Sequence, residues 1–130
     1  MPATKLDKAS QGLEAIARNA VRLLGSNAFP IWLYIEAGDG WVEPSIYQIR
    51  PEALEWTDPS MDFVDEVENA WYALDADQRW AVMEMDIADG RFTTTMRFLG
   101  EVPPDGAWSM DRREAAIAAR FGDKPVIYPD

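Results

Sequence analysis

The sequence predicts an α+β domain, with a mostly antiparallel sheet of four strands, or slightly more, against about three helices in the order α-β-β-α-β-β-α. Three observations predict this class. Stretches with helical apolar spacing alternate along the chain with stretches in which apolar and polar residues alternate singly. Turn residues separate successive strands, and no repeat or flexible linker divides the sequence. We therefore expect residues 1–130 to form a single domain.

The first half of the chain opens with a helix and a pair of strands. Apolar residues recur at steps of three, four and seven over residues 5–24, which predicts a helix that Gly25 ends. A Gly-Asp-Gly turn joins an alternating strand at 29–36 to a return strand at 41–49. Pro44 lacks an amide donor, so the return strand is expected at a sheet edge or with a bulge there.

A second helix is predicted over residues 59–74. Asp58 can cap its amino end, and Pro59 suits its first position. Its apolar side chains form one stripe: Phe63, Val67, Ala70, Trp71 and Leu74. Its acidic side chains fall on another face: Asp62, Asp65, Glu66 and Glu68. Like charges at helical spacing cost a few tenths of a kcal/mol per pair, roughly, which favours a face kept acidic for a purpose.

The clearest predicted element is a hairpin at residues 80–99. Apolar and polar residues alternate on both sides of Asp89-Gly90, a dipeptide typical of tight hairpin turns. Pairing across this turn places Glu84 and Asp86 on the same face as arginine side chains of the second strand. We expect that face to be exposed.

The carboxyl-terminal part predicts a third helix over residues 111–121. Asp111 and Glu114 resemble a capping box, with Asp in place of the usual Ser or Thr, and Gly122 closes the helix. The tail from Lys124 onward is expected to be extended and to pack on the body of the domain.

The negative charge is confined to one segment. Residues 1–51 hold five acidic and five basic side chains, and residues 90–130 hold six of each. Residues 52–89 hold twelve acidic side chains against Arg79 alone, which equals the whole net charge of −11. Such segregation favours an acidic binding surface over a general solubility effect. It argues against nucleic acid as a partner, because phosphate binding needs a basic surface.

The residue types that most enzymes use are missing. The chain has no His and no Cys, no nucleophile elbow and no glycine-rich phosphate loop. Asp62, Asp65 and Glu66, or the pair Asp75 and Asp77, could meet a hard cation, but neither group has calcium-loop spacing. We therefore expect no catalytic residues, no metal and no cofactor. A small enzyme using carboxylates alone is the least favoured alternative.

The sequence offers no membrane segment. It has no apolar run of about 18 residues, and its amino terminus lacks the apolar core of a signal peptide. The absence of Cys fits a reducing compartment. The expected location is the cytoplasm.

Two segments carry a family resemblance. Residues 80–92 read WAVMEMDIADGRF, and residues 120–129 read RFGDKPVIYP. The first resembles the hairpin of the YezG-like immunity (antitoxin) proteins, and the second resembles their closing helix and extended end. The amino-terminal helix followed by WLYIE at 32–36 is similar in order. The resemblance implies a bacterial cytoplasmic protein that binds and neutralises a cognate toxin, in some cases a nuclease, and it carries over no binding residue.

Together these observations predict a non-enzymatic protein that covers a basic toxin with an acidic surface. The residues expected to contact the partner are six acids and two aromatic anchors: Asp62, Asp65, Glu66, Glu68, Asp75, Asp77, Trp56 and Tyr72. The alternative is a scaffold or adaptor domain that acts as a homodimer burying Trp32 or Trp80. The sequence leaves open the choice between monomer and homodimer, and the identity of the toxin.

Overall fold

The computed structural model describes residues 5–25, 29–101 and 109–128, and within these ranges the chain forms three α-helices and six strands. Their bounds, in chain order, are α1 Lys5–Leu24, β1 Ile31–Gly38, β2 Trp41–Ile49, β3 Leu54–Thr57, α2 Met61–Ala73, β4 Val82–Ala88, β5 Arg91–Arg97, α3 Ser109–Phe121 and β6 Val126–Ile127. The α+β class is confirmed. The predicted order lacks two strands, β3 and β6, which are too short to show an alternating pattern and form only by pairing with neighbours.

The six strands form one sheet in the order β5-β4-β1-β2-β3-β6. All neighbours are antiparallel except β3 and β6, which run parallel. The predicted hairpin is confirmed: Ala88 stands opposite Arg91, and Asp89 and Gly90 both have positive φ, of 53° and 73°. Positive φ at both central residues is the type I′ turn that matches the twist of paired strands.

Pro44 lies where β2 has no partner on one side, as predicted, but β2 as a whole is not an edge strand. β2 lies inside the sheet, between β1 and β3. However, β3 pairs only with Ile46–Ile49, so Pro44, opposite Ile35 of β1, is not paired with β3. The proline therefore costs the sheet no hydrogen bond between β2 and β3.

Helices cover both faces of the sheet and create two cores. α1 and α2 pack on one face, around Leu33, Ile35 and Phe63. On the opposite face Ile117 of α3 packs on an aromatic cluster that includes Trp32. β1 lies between the cores, and all of its residues except Gly38 are buried.

Burial on the two faces of the sheet corrects two expectations. Trp32 and Trp80 are only 0% and 2% exposed within a single chain, so neither is available as a contact for a second copy. The face that carries Glu84 and Asp86 was expected to be exposed, and its β5 half is, since Arg91 and Arg97 are exposed. Glu84 and Asp86 themselves are half-buried, because an arginine of α3 reaches Asp86 and the indole of Trp32 reaches Glu84. The sequence showed the alternation in β1, but it did not show that α3 covers the second face of that strand.

The helix ends show which local signals succeed. α1 has the predicted bounds, and Gly25, with φ 68°, donates its amide to Val21 O at 3.1 Å, which is a glycine C-cap. α2 begins at Met61 instead of residue 59, because Ser60 is the N-cap and its Oγ accepts from the Phe63 amide at 3.1 Å. Neither Asp58 nor Pro59 has the predicted role.

α3 begins two residues earlier than predicted, at Ser109, so Asp111 lies in its first turn and is not the cap. Gly122 ends the helix as expected, with φ 64°. The tail is extended as expected up to residue 128, the last one described, and it has a specific position, since Val126 pairs with Leu54 in the parallel strand pair. Among the described residues, no helix has the length and apolar content needed to cross a bilayer.

Candidate functional site: the acidic face of α2

The acidic face of α2 follows from the packing of its opposite side. Phe63, Val67 and Trp71 point into the core beneath the helix. Residues at other helical positions then point away from the sheet. Asp62 and Asp65 are exposed, and Glu66 and Glu68 are half-buried along the same helix: these four form what we call the acidic face, Asp62, Asp65, Glu66 and Glu68.

Ion pairing separates these four acids from those on the sheet. Acids on β3 and β4 have basic partners: Glu55 pairs with Arg50 at 2.5 Å, Glu84 with Arg97 at 3.7 Å, and Asp86 with Arg120 at 2.5 Å. Within the described part of the chain, no member of the acidic face forms an ion pair. The uncompensated negative charge of residues 52–89 is therefore strongest along α2.

Arg79, the single base of this segment, does not neutralise the acidic face. Its guanidinium donates to Tyr72 O at 3.0 Å, at the carboxyl end of α2. It also lies over the rings of Trp71 and Tyr72, with 5.2 and 5.4 Å to their centroids. A cation at this end of a helix interacts favourably with the helix dipole, so Arg79 stabilises the helix end.

The predicted anchor Tyr72 lies on the same helix and is held in place. The residue is 41% exposed; its ring packs edge-on against Trp71 at 5.0 Å, and its hydroxyl accepts from the Gly40 amide at 2.6 Å. At the other end of α2, Met61 is 72% exposed. The prediction missed Met61, although its place beside the N-cap could have indicated an exposed position.

The remaining predicted residues join this surface only in part. Asp77 is exposed and Asp75 is half-buried, both at the short 3₁₀ turn after α2, and each already interacts with another residue of the chain. Trp56 lies on β3 and packs into the core on the α3 side, with its ring 5.6 Å from that of Tyr128. The structure therefore places Trp56 on the opposite side of the sheet from α2, apart from the four acids.

Sequence reasoning missed a buried ion pair beneath α3. Glu36 of β1 is 3% exposed, and Arg112 donates to it from Nε at 3.0 Å and from Nη2 at 2.5 Å. The Tyr34 hydroxyl donates to the other carboxylate oxygen at 2.9 Å. These partners are 76 residues apart in sequence, and no local pattern links them.

The environment of this ion pair shifts two protonation equilibria. Burial, reinforced by the charge of Glu36, raises the pKa of Tyr34 well above the usual phenol range. The hydrogen bond to Glu36 raises the pKa of Arg112. Every charged group of the cluster has a partner, so the arrangement suits the attachment of α3 better than acid–base chemistry. In the described residues, no group of three or more acids is placed to hold a metal ion.

Comparison with known proteins adds no family assignment: no family model matches the chain, and no curated protein matches it.

Proposed function

We propose that this chain is an immunity-type binding protein that neutralises a basic protein toxin by covering its active-site groove with the acidic face of α2. The observation that carries the proposal is the contrast in pairing between the acids of α2 and those of the sheet. Carboxylates without local partners keep their full attraction for a basic surface. The YezG-like motifs support the same class of function, and the mechanism needs no cofactor.

The exposed apolar groups of α2 complement this charge. Met61 and Tyr72 lie at opposite ends of the helix and frame the four acids. Interfaces combine aromatic or Met anchors with charged groups that direct the approach of the partner. Tyr72 is fixed by Trp71 and Gly40, so its ordering costs little entropy when a partner binds.

The acidic face destabilises α2, which favours the view that it is kept for binding. Asp62 lies three and four residues before Asp65 and Glu66, and Asp65 lies three residues before Glu68. Each such pair of like charges destabilises a helix by a few tenths of a kcal/mol, roughly. The helix dipole offsets part of this repulsion for Asp62, because Asp62 lies in the first turn of α2. Asp65 has no such compensation, so Asp65→Lys should stabilise the fold while weakening binding.

A charge-reversal series tests the proposal. The toxin is sought among the proteins encoded beside this gene, by rescue of growth on coexpression. Against that partner, the D62K/D65K/E66K variant should associate about tenfold more slowly at low salt and lose most of its salt dependence. Unchanged association rates would refute the acidic-face mechanism.

A matched control carries the same change of charge elsewhere. Glu14, Glu114 and Asp123 are exposed and lie outside α2. E14K/E114K/D123K alters the net charge by as much as the first variant does. If only total charge matters, both triple variants will slow association equally. If the acidic face is the contact, the control will stay within about threefold of the wild type.

The alternative, a scaffold domain acting as a homodimer, would need a contact other than Trp32 or Trp80, since both are inside one chain. Light scattering at low and high protein concentration separates the two proposals. A dimer that forms without a second protein favours the scaffold.

A further inference from the structure

An apolar cavity of about 160 Å³ lies on the inner side of α2, away from the acidic face. α1 contributes Ala9 and Gly12 to its wall, and α2 contributes Trp71. Trp80, just before β4, and Phe98, just after β5, form the aromatic wall on the sheet side. The cavity uses none of the four acids, so the inference below is independent of the proposed function.

Specific contacts hold the walls of the cavity in place. The Trp71 indole donates from Nε1 to Trp80 O at 2.8 Å, which fixes the two aromatic walls relative to each other. Gly12 sits so close to α2 that a Cβ atom built on it would lie 3.3 Å from Ala70 Cβ. α1 and α2 are thus already in contact beside the cavity. The space therefore does not close by a small shift of either helix.

One polar group of the wall lacks a partner. Among the described residues that line the cavity, Gln78 alone has a side-chain oxygen. Its Oε1 is buried and accepts no hydrogen bond from any described residue. A buried acceptor left in this state is unfavourable, and a water molecule in a cavity needs about two to four polar partners. The described side chains around this cavity offer water one oxygen acceptor.

We propose that the cavity binds a small neutral ring that carries one N–H or O–H donor, with the donor directed to Gln78 Oε1. The size sets the ring: a cavity of about 150 Å³ in another protein takes up benzene. The aromatic walls favour a flat ligand. The terminal torsion of a glutamine amide is soft, so a modest rotation turns Oε1 toward the bound donor. A charged ligand is disfavoured because its charge would be buried without a counterion.

Phenol and toluene test the proposal, because they have the same shape and only phenol has a donor. Each is titrated into the full chain while the Trp71 and Trp80 indole N–H signals and the Gln78 amide signals are followed by NMR. We expect saturable shifts of these signals for both ligands, with roughly millimolar or tighter affinity. Absence of saturable shifts for both ligands would overturn the proposal.

Gln78→Leu tests the hydrogen bond. In this variant the affinity for phenol relative to toluene should fall about three- to tenfold, which is the value of one neutral hydrogen bond. The comparison is made within one variant, so a general change of cavity shape cancels. A ratio equal to that of the wild type would overturn the role of Gln78.

Ala9→Leu tests the location, since it fills the cavity and should abolish binding of both ligands. Gln11→Leu is the matched control, because it adds the same side chain to an exposed position of α1 and should leave binding intact. If Ala9→Leu does not fold, Leu13→Phe fills the same space from a half-buried lining position. Undiminished binding in a folded filling variant would overturn the assignment to this cavity.

Discussion

The buried ion pair between Glu36 and Arg112 leads to an asymmetric prediction for stability. Arg112→Met removes the charged donor from the Glu36 carboxylate, which is 3% exposed. Among the described residues, the Tyr34 hydroxyl is then the one donor left to this carboxylate. Removing one partner of a buried pair typically costs about 3–5 kcal/mol. The remaining bond from Tyr34 places the expected loss at the lower end, about 3 kcal/mol. For a domain of this size that corresponds to a fall in Tm of about 10 °C.

The reverse change should cost less. Glu36→Gln keeps an oxygen acceptor for Tyr34 or Arg112, and the arginine side chain is already 25% exposed and can turn to solvent. We expect a loss of about 1–2 kcal/mol. Replacing both residues, Glu36→Met with Arg112→Met, should recover part of the loss, because no buried charge is then left unpaired, while the Tyr34 hydroxyl loses its acceptor.

Urea unfolding, followed by circular dichroism and by tryptophan fluorescence, measures these differences. Arg113→Met is the matched control, since the neighbouring arginine on α3 donates to the neutral Ser45 hydroxyl at 3.1 Å. It should cost about 1 kcal/mol. A loss below about 1 kcal/mol for Arg112→Met, or a larger loss for Glu36→Gln than for Arg112→Met, would refute the reasoning.

Three further predictions concern the tyrosines and two local signals. Burial raises the pKa of Tyr34 and of Tyr47. The stabilisation from their neutral forms is therefore complete below pH about 10 and is lost as the pH rises through the pKa values of the folded state. Phenolate absorbance and the free energy of unfolding, followed together into the alkaline range, should show this coupling, and Tyr34→Phe should weaken it. Ser60→Ala should cost about 1 kcal/mol in urea unfolding, whereas Asp58→Ala, at the position first predicted to cap α2, should cost close to nothing. Gly90→Ala should cost about 1 kcal/mol because it forces a side chain to φ 73°, and an unchanged unfolding midpoint would contradict the type I′ turn.

The sequence predicted the elements whose signals are local. α1 has a long apolar stripe ended by Gly25, and the hairpin has strict alternation around Asp89-Gly90, so both could be located from neighbouring residues alone. β3 and β6 could not, because four and two residues are too few to show a period. Their pairing brings together residues 54 and 126, and only the fold supplies that information.

The same distinction separates the parts of the candidate site. The acids of α2 share one helix, so helical spacing alone was enough to place them on one face. The position of Trp56 depends on which face of the sheet β3 presents to α3, and sequence spacing does not determine this. The partners of Glu84 and Asp86 come from β5 and α3, and such contacts between distant elements cannot be foreseen from sequence spacing.

The position of α3 and β6 has a consequence for biosynthesis. Residues 109–128 cover the aromatic face that holds Trp32 and also pair with the outer edge of β3. A nascent chain that has formed the sheet and the first two helices still exposes that face and that edge, which are the two features that most promote aggregation. This face and this edge are therefore covered only after α3 and β6 have left the ribosome, and truncation before residue 109 should yield aggregates.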